Sequence, residues 1–135
     1  MKTVKIVIAA LMLVIINAGF SQYPSGEETA LNESSSVISV YYFHFNARCA
    51  TCRAIESEAE LDVKLLFGDD VIFASFNLDK PDGEAKGKDL GVNSQALLVV
   101  KGDKKIDLTK EGFLYARTDP DKFKEIIEEK IRPLL

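Results

Sequence analysis

The constraint that most narrows the fold is a nine-residue run, residues 37–45, reading VISVYYFHF. It is β-branched or aromatic almost throughout and shows no regular polar alternation. Such a run fits a strand buried on both faces. Asn46-Ala47-Arg48 then makes a short loop. Residues 50–67 are rich in Ala, Glu, Leu and Lys and read as a helix, with Gly68 suited to its C-terminal stop. Residues 71–78 (VIFASFNL) form a second strand. A helical crossover between these strands makes them parallel.

The rest of the chain follows from punctuation. Residues 79–91 hold Pro81, Gly83, Gly87 and Gly91 and read as a loop with a short helix inside. Residues 96–100 (ALLVV) are a third strand, 101–104 (KGDK) a hairpin turn, and 105–108 a fourth, antiparallel strand. Thr118 or Asp119 caps the last helix, and Pro120 lies in its first turn. Phe123, Ile126, Ile127 and Ile131 form its apolar stripe. The expected fold class is α/β, with a mixed four-stranded sheet (βαβ, then ββα) and helices on both faces.

The chain has 135 residues, enough for one domain. Residues 1–21 have the pattern of a secretory signal peptide: Lys2 and Lys5, an apolar run over 6–16, then small and polar residues. Cleavage is expected after Ser21, with Ala18 as the rival position. The apolar stretch is short for a span needing about 20 residues, so no stable membrane insertion is expected after cleavage. Residues 22–36 are polar, with Pro24, Gly26 and three consecutive serines, and read as an N-terminal tail. The folded domain is 37–135, expected to be monomeric and either periplasmic or extracellular. Removing 1–21 takes away two lysines and no acid, so the net charge of −4 becomes −6. No basic cluster suited to phosphate is present, which argues against nucleic acid as a partner.

The chain's two cysteines are Cys49 and Cys52, a Cys-x-x-Cys pair at the junction of strand and helix. A thiol at a helix N-terminus meets free backbone N–H groups and the positive end of the helix dipole, and both favour thiolate. Arg48 and Arg53 flank the pair and add positive charge. Outside the cytosol such a pair persists as a disulfide. Three other uses stay open: a small structural clip, a pair of thiolates holding Cu(I), and a motif kept without activity. A closed zinc site needs four ligands, more than two cysteines and one histidine provide.

The element order and the segments FHFNARCATC, ASFNLDK and LGVNSQALLVVKGDKK together resemble the thioredoxin superfamily over about residues 37–132. The resemblance implies a reduced thioredoxin-like fold and an exported thiol–disulfide oxidoreductase. Its partners would be protein or small-molecule disulfides and thiols and a redox partner protein, with no organic cofactor and no metal. The alternative is a non-catalytic binding module or a carrier of Cu(I) or thiols. By position, Cys49 would be the exposed attacking thiol and Cys52 the buried resolving one. Arg48, Thr51 and Arg53 would support them, Thr51 as a donor to a thiolate or simply as a first-turn helix residue.

Several positions differ from the family pattern. Phe43 stands six residues before Cys49, where many thioredoxins carry a buried acid. Glu56, Glu58 and Glu60 are spread around the helix and are expected to be solvated. Arg48 replaces an aromatic residue, Ala50-Thr51 replaces Gly-Pro, and Ser57 replaces a helix-kinking proline. His44 reads as a strand residue packed under the helix, with a proton shuttle for Cys52 as the other possibility. The substrate-facing loop would be Gln95-Ala96. Ala96 falls in the slot of the family's cis-proline, so a trans Gln95–Ala96 peptide is expected, because a cis bond before a non-proline residue costs about 2.5–4 kcal/mol.

Overall fold

The computed structural model describes residues 37–135. The leader expected at 1–21 and the tail at 22–36 lie outside the described residues. Strand β1 (Ile38–His44) leads into helix α1 (Ala50–Phe67), a 3₁₀ turn (Gly68–Asp70) and strand β2 (Val71–Asn77). Helix α2 (Pro81–Leu90), the hairpin β3 (Ala96–Lys101) and β4 (Lys104–Asp107), helix α3 (Thr109–Tyr115), helix α4 (Pro120–Ile131) and a final 3₁₀ turn (Arg132–Leu134) complete it. The sheet order is β2-β1-β3-β4. β1 runs parallel to β2 and antiparallel to β3, while β3 and β4 are antiparallel. The mixed four-stranded sheet is the architecture the sequence predicts.

β1 is central, which explains its lack of polar alternation. Ile38, Val40 and Tyr42 join Ile55, Ala59 and Val63 of α1 and Phe123, Ile127 and Ile131 of α4 in one core. Phe43 joins Ala96 and Leu98 in a second core on the other face, with Tyr41, Phe76 and Leu90 packed against it. Successive side chains of a strand point to opposite faces, so each half of β1's residues needs its own helical cover.

Two elements differ from the sequence expectation. Residues 81–90 form a continuous ten-residue helix rather than a loop with a short helix. Pro81 occupies its first turn with Asp82 and Glu84, and Gly91 ends it at φ 72°. The internal glycines are packing residues, not breakers. A Cβ on Gly83 would lie 2.0 Å from the Asn77 carbonyl oxygen, and one on Gly87 2.7 Å from that of Val92. Helix α3, seven residues long, was not anticipated; its Gly112 presses onto Ile55, whose Cγ2 would be 3.1 Å from an added Cβ.

Candidate active site

The loop between β1 and α1 is tied to the end of β2. The Asn46 N–H donates to Asp79 Oδ2 at 2.7 Å, and Asn77 Nδ2 donates to Asn46 Oδ1 at 2.8 Å. The Asp79 N–H closes the set on Asn77 Oδ1 at 3.0 Å. The Asn77-Leu78-Asp79 segment therefore fixes where α1 begins.

Cys49 is the N-cap of α1. Its backbone is extended, and its Sγ accepts the Cys52 N–H at 3.0 Å. The first turn of α1 holds no acidic residue. Cys49 and Cys52 are joined in a disulfide. Cys49 is exposed, whereas Cys52 is 5% exposed and turned toward the sheet. A helical turn carries the second sulfur inward while the first stays at the surface.

The flanking cations have different fates. Arg53 Nη1 donates to the Arg48 carbonyl at 3.0 Å and stays exposed at the loop. The Arg48 guanidinium is paired with Glu56 and lies over the Tyr42 ring, 6.0 Å from its centroid. Glu56 also accepts from the Ser75 hydroxyl of β2. Burial pushes the Glu56 carboxyl up, but the Ser75 and Arg48 hydrogen bonds outweigh it and leave the pKa below its ordinary value. Glu56 is thus an ionised, half-buried partner rather than a solvated side chain. The Arg48 charge, expected to act on the cysteines, is largely committed to it.

Behind Cys52 lies a polar group made of Tyr42, which sequence reading missed, and Gln95, which it named only as part of a substrate-facing loop. The Tyr42 hydroxyl donates to the Cys52 carbonyl at 2.8 Å. Gln95 Nε2 donates to the same hydroxyl, and Gln95 Oε1 stands 3.4 Å from Cys52 Sγ. Burial raises the Tyr42 pKa above its ordinary value despite the neighbouring Gln95 and Arg48, so the phenol keeps its proton. Tyr42, Glu56 and Ser75 carry no local motif. The one signal in the sequence was the i, i+4 spacing of Glu56 from Cys52; the antiparallel pairing of β1 with β3, which brings Tyr42 opposite Leu97, comes from the structure.

The remaining candidates are placed as follows. Ala96 is buried and pairs with Phe43 across the β1–β3 ladder. No cis peptide occurs among the described residues, so the Gln95–Ala96 bond is trans. Thr51 is half-buried and opens α1 beside Ala50. Phe43 is fully buried on the α2 face and stacks on Phe76, ring centroids 5.6 Å apart. His44 Nδ1 lies 2.9 Å from the Phe45 carbonyl oxygen, and its ring stacks on Tyr42 at 5.9 Å. Among the described residues no group of three or more His, Cys, Asp or Glu side chains is placed to hold a metal ion.

No protein-family model matches the sequence, and no curated protein matches it. Solved structures do match in fold. Thioredoxin O2 from Arabidopsis thaliana, in its oxidized state, superposes with a TM-score of 0.51 at 23% identity, over 73% of this chain and 84% of that one. Trxlp from Edwardsiella tarda superposes with a TM-score of 0.51 at 13% identity, over 74% and 92% of the two chains. The described part of this chain is a thioredoxin-like domain in fold, with a CXXC pair at the junction of its central strand and first helix.

Proposed function

We propose that this chain is an exported thiol–disulfide oxidoreductase that cycles Cys49 and Cys52 between dithiol and disulfide. One observation carries the reading. Cys49, an exposed residue, caps the N-terminus of α1 with a sulfur that accepts a backbone N–H, while its partner Cys52 is buried behind it. In the reductive direction, the Cys49 thiolate attacks one sulfur of a substrate disulfide and the other leaves as a thiolate. Cys52 then gives up its proton, to the departing substrate thiolate or to solvent, and attacks the Cys49 sulfur. The mixed disulfide breaks, the second substrate thiol is released, and two electrons have passed to the substrate. The oxidative direction is the same sequence reversed. The substrates are disulfides or thiols of proteins or small molecules, and a redox partner protein resets the pair. Export is supported by the signal-like pattern of residues 1–21.

Dithiothreitol-driven reduction of insulin tests the activity. Turnover by the wild type that Cys49→Ser abolishes is the expected result. A silent wild type that takes up Cu(I) stoichiometrically would instead favour a carrier. For export, the chain secreted by a bacterial host should begin at Gln22, or at Gly19 if cleavage follows Ala18; an intact Met1 in the exported material would contradict cleavage.

A further inference from the structure

Tyr42, Gln95 and Cys52 form a closed circuit whose polarity can be worked out donor by donor. A tyrosine hydroxyl has one hydrogen, and a backbone carbonyl can only accept. The Tyr42 hydrogen is spent on the Cys52 carbonyl, at 2.8 Å. Whatever Gln95 presents to the Tyr42 oxygen must therefore be a donor, which is its Nε2. The two ends of a carboxamide are fixed to each other, so Oε1 is left facing Cys52 Sγ, at 3.4 Å. In the disulfide that sulfur carries no hydrogen, and the contact is only a close polar approach. In the dithiol it becomes a thiol facing an acceptor.

We infer that Tyr42 and Gln95 are positioning residues that hold the proton on Cys52 in the reduced protein, leaving Cys49 as the thiolate. The assignment deepens the redox reading above and rests on it only for the relevance of the dithiol state. Reduction by an external thiol adds two electrons to the pair. One proton binds Cys52 and is held against Gln95 Oε1. Cys49 keeps the negative charge and the Cys52 N–H that it already accepts at 3.0 Å. The charged groups nearby do not set this asymmetry alone. Arg48 and Glu56 are paired with each other, and His44 stacks on Tyr42 with Nδ1 against the Phe45 carbonyl. The circuit makes the roles of the cysteines a property of three elements, β1, α1 and the turn before β3.

The test uses the full chain carrying Cys49→Ala, so that Cys52 is the sole thiol, and follows its thiolate by ultraviolet absorbance against pH. Adding Tyr42→Phe frees the Gln95 amide to turn its nitrogen toward sulfur. The acid dissociation constant of Cys52 should rise roughly three- to tenfold, the range that one hydrogen bond's net worth corresponds to. Adding Gln95→Glu sets a carboxylate against the sulfur and should lower that constant by at least a similar factor. A merely structural role would not produce shifts of opposite sign. Both variants titrating like the Cys49→Ala parent, or both moving in the same direction, overturns the assignment. Gln95 is half-buried in a turn, so if Tyr42→Phe fails to fold, an unmoved Gln95→Glu titration overturns it alone. No turnover is needed, so the outcome stands apart from the insulin assay.

Discussion

At the scale of single residues, the asymmetry of the cysteine pair comes from where one helical turn places two sulfurs. Cys49 caps the helix in the open and Cys52 is buried against the sheet. In the reduced protein at neutral pH, iodoacetamide should therefore label Cys49 first, as mapped by mass spectrometry; equal rates at the two sites would contradict the assigned roles. Glu56 adds a second expectation. Its carboxylate compensates Arg48 beside the motif. Glu56→Gln leaves that guanidinium uncompensated, which favours anionic sulfur. Alkylation of Cys49 at mildly acid pH should speed up, and an unchanged pH–rate profile would show that the ion pair does not reach the sulfur. The roles of the two cysteines followed from the motif in its register, but the Arg48–Glu56 pair and the Tyr42–Gln95 contact were not readable from it. Gln95 lies 53 residues from Tyr42 in sequence, and only the β1–β3 pairing brings them together.

At the scale of elements, caps and buried charges decide. Asp119 caps α4, its Oδ1 accepting the Lys122 N–H at 3.1 Å. Thr118 instead donates its hydroxyl to the Leu114 carbonyl at 2.6 Å, closing α3. Asp119→Ala should cost about 0.5–2 kcal/mol in urea unfolding, and Thr118→Ala less. The reverse order would move the start of the helix. Asp62 of α1 is 4% exposed, and its Oδ2 has no hydrogen-bond partner among the described residues. Burial is the main cause that pushes its pKa up to about 6, against an ordinary 3.8, with Lys124 pulling it down and Glu58 and Asp121 pushing it up. The folded state thus binds this proton more tightly than the unfolded chain. Stability from this group is full below about pH 4 and is lost as pH rises through 6, by roughly 3 kcal/mol. Asp62→Asn should flatten stability between pH 4.5 and 7.5. A variant that keeps the wild-type slope would mean that another group titrates.

At the scale of the whole molecule, the strands were legible because apolar runs and turn residues mark them locally. β1 could be recognised as central because a strand covered on both faces has little room for polar alternation. Helix α2 was less legible because its glycines look like breakers, whereas Gly83 and Gly87 let the helix approach the Asn77 and Val92 carbonyls closely. Helix α3 is short and carries a buried glycine, so no apolar stripe announces it. The cysteines were legible as a candidate site because the strand-to-helix register surrounds them. The polar groups around them were not, since each arrives from a different element. What unites the levels is a cysteine pair held at a helix N-terminus by a thioredoxin-like sheet. Equilibrating the purified full chain with glutathione buffers of graded ratio, and trapping its thiols by alkylation, tests that account most directly. The prediction is one reversible two-electron transition, with Cys49 and Cys52 alkylated together or protected together, at a potential between about −270 and −120 mV. A pair that stays oxidised or stays reduced across the whole series, or that loses one thiol independently of the other, would contradict it.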